Sequence, residues 1–170
     1  MKSNNNLVLL GMMGSGKSTI GSLLSKILNI EYHDVDEIIE KEEGCKISKI
    51  FEKKGEIYFR KIEEKISLKL LKSNKKIISL GGGGFINDNI RNEVLSNHIS
   101  FWLNWNNSTL VNRIKNSKKR PIAINLTKNE IKKLIFERSK IYAISNHKIN
   151  CEKFSKNEIV KKIINIYNGN

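Results

Sequence analysis

The sequence predicts an α/β domain built around a parallel β-sheet. Short apolar runs alternate along the chain with longer segments in which apolar residues recur every three or four positions. The first of these runs, Leu7–Leu10, is continuously apolar, as is typical of a parallel strand that is covered on both faces. A length of 170 residues suits one domain, residues 1–170, with a core of ordinary size.

A glycine-rich motif follows this first strand directly. Residues 11–18 read Gly-Met-Met-Gly-Ser-Gly-Lys-Ser and fit Gly-x-x-x-x-Gly-Lys-Ser/Thr, the pattern of a phosphate-binding loop, or P-loop. The next segment, Thr19–Leu28, has helical apolar spacing, so the motif lies between a strand and a helix as a P-loop does. Backbone N–H groups would then hold a polyphosphate, Lys17 would supply a positive charge, and Ser18 would bind Mg²⁺.

Two aspartates follow the second predicted strand, Ile30–His33. Asp34 and Asp36 are two positions apart at the strand end, so both side chains can point into the crevice above the sheet. One would serve the metal and the other a substrate hydroxyl; alternatively, Asp36 would only cap a helix over 37–43. The third predicted strand, Lys76–Leu80, has no aspartate at its end, which leaves the metal-binding role to Asp34.

The segment between these strands predicts a short helix and a long one. Ser48 is suited to capping the short helix, and Gly55 is expected to break the chain before an amphipathic helix over 56–71. Arg60 and Glu63 lie three positions apart on the long helix, next to its apolar face. They form either a surface ion pair or a pair that projects into a pocket, and the pattern does not choose between the two.

Consecutive glycines, Gly81–Gly84, follow the third strand. Glycines lose much conformational entropy on folding, so four in a row would be an unfavourable choice for a loop without a function. We therefore expect a ligand to approach bare backbone N–H groups closely at this point.

The second half of the chain continues the alternation of strands and helices. A strand is predicted over Ile99–Leu103 and a last strand over His147–Asn150. Capping boxes that begin at Thr127 and Ser155 each open a further helix.

A polar segment at about 116–126 interrupts this alternation. It carries Lys118-Lys119-Arg120-Pro121 at its centre. Adjacent cations without a helical pattern predict a mobile lid that closes over polyphosphate and excludes water. A solvated basic loop is the alternative.

The formal net charge of +14 raises the question of a nucleic-acid partner. Lysines are scattered over every helical segment, without an arginine-rich block or interleaved aromatic residues, so a solvated basic surface is favoured and no nucleic acid is expected. Arginine is rare by comparison, and each arginine is a candidate for bidentate recognition of an anion: Arg60, Arg91, Arg113, Arg120 and Arg138.

The sequence also bears on location and on cysteine chemistry. No apolar stretch approaches membrane-spanning length, and the polar residues 1–6 do not fit a signal peptide, which predicts a cytoplasmic protein without a membrane partner. Cys45 and Cys151 lie far apart without metal-ligand spacing, so neither a disulfide nor a zinc site is expected.

Taken in series, these motifs resemble the shikimate kinase family over essentially the whole chain. The resemblance is carried by Gly11 to Gly21, Asp34-Val-Asp36, Phe59-Arg60-Lys-Ile-Glu63, Leu80-Gly-Gly-Gly83, Lys119-Arg120-Pro121 and Arg138-x-x-x-Tyr142. It implies a three-layer α/β/α fold of the P-loop NTPase type, similar to nucleoside-monophosphate kinases, with a five-stranded parallel sheet. It also implies transfer of the γ-phosphate of ATP to the 3-hydroxyl of shikimate, a step of chorismate and aromatic amino-acid biosynthesis.

The resemblance further implies a role for each matching residue. The residues that would bind shikimate are Asp36, Arg60, Gly82, Gly83 and Arg138. The two arginines would bind its carboxylate. The residues that would bind ATP are Gly14, Ser15, Gly16, Lys17, Ser18, Thr19, Arg113 and Arg120. Of these, Arg113 would flank the adenine, and Arg120 would reach the phosphates from the lid. Mg²⁺ would be bound by Ser18 and Asp34. Catalysis would depend on Lys17 and Arg120 at the phosphates and on Asp36, which orients the attacking hydroxyl and accepts its proton.

The chain departs from the family pattern in two places. Ile122-Ala123 follow the lid proline, where leucines are usual. The adenine loop near 151–156 lacks the usual arginine and proline, for which Lys153 or Phe154 would substitute.

The nearest alternative function is another small-molecule kinase of the same fold, such as a gluconate kinase. Arg60, Arg138 and the glycine run favour a compact alcohol that bears a carboxylate. A nucleic-acid-binding protein that uses the P-loop as a nucleotide switch is the alternative from another class. A monomer is the expected state.

Overall fold

The computed structural model describes residues 5–73, 75–116 and 126–169. Its sheet contains β1 (Leu7–Leu10), β2 (Tyr32–Asp34), β3 (Ile77–Ser79), β4 (Ile99–Asn104) and β5 (His147–Asn150). The α-helices in these ranges are α1 (Lys17–Leu28), α2 (Val35–Glu43), α3 (Ile47–Leu71), α4 (Asp88–Asn97), α5 (Asn107–Lys115), α6 (Lys128–Tyr142) and α7 (Lys156–Gly169). A short 3₁₀-helix spans Gly84–Ile86. Apart from its end residues, the predicted lid, Arg120 included, lies outside the described residues.

The five strands form one parallel sheet in the order β2-β3-β1-β4-β5. Strand β1 is central and pairs with β3 on one side and with β4 on the other. Because all strands run in the same direction, the loops that follow them meet at one edge of the sheet, where open α/β sheets bind ligands. The predicted five-stranded parallel sheet is confirmed.

Helices cover both faces of this sheet. Leu7 and Leu9 of β1 belong to an apolar cluster with residues of α1 and α7. Val8 and Leu10 point the other way, into a cluster with residues of α2, α3, α4, α5 and α6. All four β1 side chains are buried, and each contributes about 1.5–3 kcal/mol through burial of apolar surface. The predicted three-layer α/β/α architecture is therefore confirmed.

Helix α2 begins earlier than the sequence suggested. Asp34 is its N-cap, and Asp34 Oδ1 accepts a hydrogen bond from the Asp36 N–H at 3.0 Å. The alternative in which Asp36 caps a helix over 37–43 is therefore wrong. Asp36 lies within the first turn, and its carboxyl is left for other contacts.

Helix α3 is interrupted at Gly55, as predicted. Gly55 has φ 80° and ψ 172°, a conformation that glycine adopts without steric cost. The helix starts at Ile47, with Lys46 at the N-cap position and no capping side chain, so the predicted Ser48 cap is wrong. The part of α3 beyond the kink carries Arg60 and Glu63.

Helix α1 packs closely on the ring of Tyr32. A Cβ atom at Gly21 would lie only 2.2 Å from Tyr32 Cε2, so the ring fits because Gly21 has no side chain. The Tyr32 hydroxyl then reaches Asp34 Oδ2 at 3.1 Å and Ser79 Oγ at 3.0 Å. A packing contact between helix and strand thus places a hydroxyl group beside Asp34.

Both predicted capping boxes are present at the starts of α6 and α7. Glu130 N–H donates to Thr127 Oγ1 at 3.2 Å, and Glu158 N–H donates to Ser155 Oγ at 3.3 Å. Among the described residues, no helix combines the length and the apolar character needed to cross a membrane.

Candidate active site

A cavity of about 330 Å³ opens at the carboxyl ends of the strands. It brings together most of the predicted site residues: Gly14, Gly16, Lys17, Ser18, Thr19, Asp34, Asp36, Arg60, Gly82, Gly83 and Arg138. Side chains that were not predicted to bind a ligand also line it: Met13, Glu37, Glu40, Ile47, Phe51, Phe59, Glu63 and Leu80. Residues from both halves of the chain therefore meet in one concave site.

The P-loop forms one end of the cavity. Gly14 and Gly16 have φ angles of 82° and 90°, which residues with side chains rarely adopt. Gly16 is the N-cap of α1, so the unpaired N–H groups of the first helical turn lie at the cavity. Lys17 Nζ donates to the carbonyls of Gly11 at 2.9 Å and Met12 at 3.3 Å. The loop thus offers N–H groups and an ammonium group to an anion.

A hydroxyl and a carboxylate lie side by side next to the P-loop. Ser18 Oγ donates to Asp34 Oδ2 at 2.6 Å, and Asp34 is the residue that caps α2. Hard oxygen atoms of this kind suit Mg²⁺, which commonly binds few protein ligands and completes its shell with water and phosphate. In the described ranges no group of three or more His, Cys, Asp and Glu could hold a metal ion. The Ser18–Asp34 pair offers two oxygen ligands, which leaves the rest of an octahedral Mg²⁺ shell to water or phosphate.

Asp36 is the carboxyl group whose ionisation the site perturbs most clearly. Burial raises the pKa of Asp36 to about 7, and the nearby carboxyl groups of Asp34 and Glu63 add to the effect. Lys17 and Arg60 oppose the shift because each stabilises the negative charge. Asp36 is therefore within electrostatic reach of the P-loop lysine and of an arginine on α3. A carboxyl group with a pKa near neutrality is well suited to accept a proton at physiological pH.

Arg60 and Glu63 project into the cavity, which resolves the two interpretations that the sequence left open. Arg60 Nη1 donates to Glu63 Oε2 at 2.6 Å, while Nε and Nη2 donate to Glu56 Oε1 at 3.2 and 3.1 Å. Glu63 is only 2% exposed, and its Oε1 has no hydrogen-bond partner among the described residues. Burial raises the pKa of Glu63, and Arg60 opposes this shift.

The glycine run lies against these charged groups. Arg138 Nη1 donates to the Gly82 carbonyl at 3.0 Å, and the Tyr142 hydroxyl donates to the same oxygen. A Cβ atom at Gly83 would lie 2.3 Å from Arg60 Nη1. Arg60 and Arg138, which stand 78 positions apart in the sequence, are thus gathered by one short loop.

Two predicted nucleotide-site residues, Ser15 and Arg113, do not line this cavity, and a third is not described. Ser15 is buried, and in the described part of the chain its Oγ has no hydrogen-bond partner. Arg113 contacts the P-loop directly, since its Nη1 donates to the Gly14 carbonyl at 3.1 Å. Arg120 falls within the residues that the structure does not describe. The fifth arginine, Arg91, donates to the carbonyls of Phe85 and Ile86 and thereby supports the 3₁₀-helix.

Sequence reasoning missed several residues of the site for identifiable reasons. Glu40 is one helical turn after Asp36, so its place on the cavity could have been inferred from helical spacing. Trp105 contacts the P-loop through a hydrogen bond to the Ser15 carbonyl at 2.8 Å. No local pattern signals that contact, because it joins residues 90 positions apart.

The fold and this site define a P-loop phosphotransferase. Comparison with known proteins gives a narrower assignment. A family model described as shikimate kinase matches residues 13–168. The shikimate kinase of Aquifex aeolicus is 42% identical over 164 residues, which cover 96% of this chain and 96% of that protein. The shikimate kinase of a Sulfurihydrogenibium species is 39% identical over 159 residues, covering 94% and 95%.

A solved structure supports the same assignment. The shikimate kinase from Acinetobacter baumannii in complex with shikimate superposes with a TM-score of 0.91 at 25% identity and covers 99% of this chain and 95% of its own. The chain therefore belongs to the shikimate kinase family.

Proposed function

We propose that this protein transfers the γ-phosphate of ATP to the 3-hydroxyl of shikimate, giving 3-phosphoshikimate and ADP. The observation that carries the proposal is the arrangement of charge within one cavity. Lys17 and Ser18 lie at its phosphate-binding end, and Arg60 and Arg138 line it together with the glycine run. Asp36 interacts electrostatically with both Lys17 and Arg60, as a base placed between two substrates would.

The arrangement suits a direct transfer of phosphate. The shikimate oxygen attacks the γ-phosphorus, the bond from that phosphorus to the β–γ bridging oxygen breaks, and ADP leaves. The hydroxyl proton passes to the Asp36 carboxylate. Phosphoryl transfer needs alignment and neutralisation of charge more than covalent chemistry, and Lys17 with the loop N–H groups supplies both at the phosphates.

Mg²⁺ is part of the proposal. Ser18 and Asp34 would hold it, since their oxygens already lie 2.6 Å apart beside the P-loop. When bound, Mg²⁺ neutralises charge on the β- and γ-phosphates. Chelation of the metal should abolish turnover and leave the fold intact.

The carboxylate of shikimate would be recognised by Arg60 and Arg138. A guanidinium group matches a carboxylate in shape and can donate two parallel hydrogen bonds to it. Arg138 is already oriented by the Gly82 carbonyl, and Arg60 by Glu56 and Glu63. The place of the reaction in chorismate biosynthesis, a cytoplasmic location and a monomeric state belong to the same proposal.

A coupled assay of ADP release tests this function. It would contain ATP and Mg²⁺, with shikimate, gluconate or a nucleoside monophosphate as the acceptor. We expect release to be stimulated by shikimate alone. Stimulation by another acceptor would retain phosphoryl transfer and reject the assignment of Arg60 and Arg138. No stimulation by any acceptor would reject the kinase activity.

A further inference from the structure

Two P-loop carbonyls accept hydrogen bonds from a pair of stacked side chains, Trp105 and Arg113. Trp105 Nε1 donates to the Ser15 carbonyl at 2.8 Å, and Arg113 Nη1 donates to the neighbouring Gly14 carbonyl at 3.1 Å. The guanidinium carbon of Arg113 lies 3.8 Å from the centre of a Trp105 ring, a cation–π contact. Trp105 is half-buried and packs against the apolar clusters on both faces of the sheet. This stack is therefore anchored to the core and not only to solvent-exposed groups.

The geometry of the peptide bond makes this contact directional. The Ser15 carbonyl and the Gly16 N–H belong to one planar unit, and the described residues contain no cis peptide bond. In a trans unit the C=O and N–H point in opposite directions. A Ser15 carbonyl that faces Trp105 thus turns the Gly16 N–H away from Trp105. Gly16 lines the cavity, so this side is the one that a phosphate would occupy.

The preceding peptide unit is used differently. The Ser15 N–H donates to the Met12 carbonyl at 3.1 Å and closes a turn inside the loop. The unit held by Trp105 is therefore the one whose N–H is presented to a ligand. Gly16 has φ 90° and no side chain that would fix the local conformation by packing, so an external restraint on this unit matters.

We propose that Trp105 is a positioning residue for phosphate binding. Its indole N–H holds the Ser15–Gly16 peptide unit in the orientation that a bound polyphosphate requires, whatever base the nucleotide carries. The proposal rests on the proposed function only in taking a nucleotide polyphosphate as the P-loop ligand, and it makes no use of shikimate.

Two substitutions separate the N–H group from the ring. Trp105→Phe keeps an aromatic ring under Arg113 and removes the donor. Trp105→His also shortens the side chain, but its Nε2 is the same number of bonds from Cβ as the indole Nε1, so a donor remains in place. Tyr167→Phe is the matched control, because it also removes one donor to a backbone carbonyl, that of Asn5, and Tyr167 lies on α7 and does not line the cavity.

Calorimetric titration with Mg²⁺–ATP and with Mg²⁺ and inorganic tripolyphosphate tests the proposal. We expect Trp105→Phe to weaken both ligands by the same factor, about 3- to 10-fold, which is the usual effect of losing one hydrogen bond. Trp105→His should stay within about 2-fold of wild type, as should Tyr167→Phe. Shikimate affinity should be unchanged in all of them.

Other outcomes would overturn the proposal. Equal losses in the Phe and His variants would assign the effect to ring size, and a loss for ATP without a loss for tripolyphosphate would assign it to the base. Unchanged affinity in Trp105→Phe would reject any role. If Trp105→Phe does not fold, hydrogen exchange of the Trp105 indole N–H with solvent gives a second test. Trp102→Phe leaves Trp105 as the remaining tryptophan, so its indole signal can be followed alone. Tripolyphosphate should slow this exchange, and an unchanged exchange rate would reject the proposal. A failure of the proposed function would look different. In that case the wild-type protein would bind tripolyphosphate but would not phosphorylate shikimate.

Discussion

The Asp36 carboxyl is held in surroundings that disfavour its charge. Because burial raises the pKa of Asp36 to about 7, the folded protein binds this proton more tightly than the unfolded chain does. The stabilising contribution is present at low pH and is lost as pH rises from about 4 to about 7. At pH 8 the ionised group therefore lowers the free energy of unfolding.

Asp36→Asn should consequently be more stable than wild type and nearly inactive. We expect the free energy of unfolding at pH 8 to rise by about 1–3 kcal/mol, and the gain to shrink at pH 5. The value of kcat should fall by about two orders of magnitude, because the hydroxyl loses its base. Urea unfolding at both pH values and the ADP-release assay measure these effects. The exposed Glu137→Gln on α6 is the control, and a destabilised Asp36→Asn would contradict the interpretation.

The wild-type pH profile should show the same group. We expect kcat to fall as pH drops below about 7, since Asp36 becomes protonated and cannot accept the substrate proton. An activity that stays constant between pH 5.5 and 8 would exclude Asp36 as the base.

Lys17 should affect turnover more than it affects folding. Lys17→Ala is expected to lower kcat by about two orders of magnitude or more, because its ammonium group faces charge that develops on the phosphates. Arg120→Ala is expected to act alike. Lys26→Ala, an exposed lysine on the same helix as Lys17, is the control for loss of charge. Turnover within a few-fold of wild type in Lys17→Ala would reject this role.

The arginine pair should separate the two substrates. Arg60→Ala and Arg138→Ala are each expected to weaken shikimate binding by at least about 10-fold, since each removes a charged hydrogen-bonding partner. ATP binding should stay within about 2-fold of wild type. Isothermal titration with each ligand decides, and equal losses for both ligands would refute the separation.

At the scale of elements, the glycine run permits a direct comparison. An alanine at Gly83 would place Cβ 2.3 Å from Arg60 Nη1, whereas at Gly84 the nearest atom, Leu80 Cβ, is at an ordinary 3.4 Å. Gly83→Ala should therefore displace Arg60 and raise the KM for shikimate by at least about 10-fold, with little loss of stability because Arg60 can move. Gly84→Ala should leave that KM unchanged. Similar KM values in the two variants would show that the space over Gly83 is not needed.

The elements were largely predictable from the sequence, and their ends were not. The periodicity of apolar residues located the strands, and the two capping boxes fixed the starts of α6 and α7, because these signals are local. The start of α2 was missed because a strand and a helix meet there without a loop, and Asp34 serves as the last residue of β2 and the cap of α2. The Ser48 cap failed since helix α3 already runs through that position.

The site residues that belong to a local sequence motif were predictable. The P-loop and the two aspartates are local patterns, and the cavity contains them. The burial of Glu63 and the contact of Trp105 with Ser15 depend on how α3 and β4 pack against distant loops. The spacing of residues along one helix does not indicate which distant residues pack against that helix.

At the scale of the molecule, ligand binding should couple to stability. The cavity is lined by residues of the P-loop, α2, α3 and α6, so a bound ligand joins parts that must separate on unfolding. Mg²⁺–ADP at 100 times its Kd should add about 2.7 kcal/mol. For a chain of this size that corresponds to a rise in Tm of about 5–10 °C. Differential scanning fluorimetry measures it, with Lys17→Ala as the control that should show a smaller shift.

The close fit of Gly21 against Tyr32 has a consequence for the history of the chain. A larger side chain at 21 cannot appear while a tyrosine occupies 32, because the first added carbon already overlaps the ring. Loss of the tyrosine, in turn, removes the hydroxyl that contacts Asp34 and Ser79. We therefore expect positions 21 and 32 to covary among descendants of a common ancestor. A larger side chain at position 21 should occur together with a residue smaller than tyrosine at position 32.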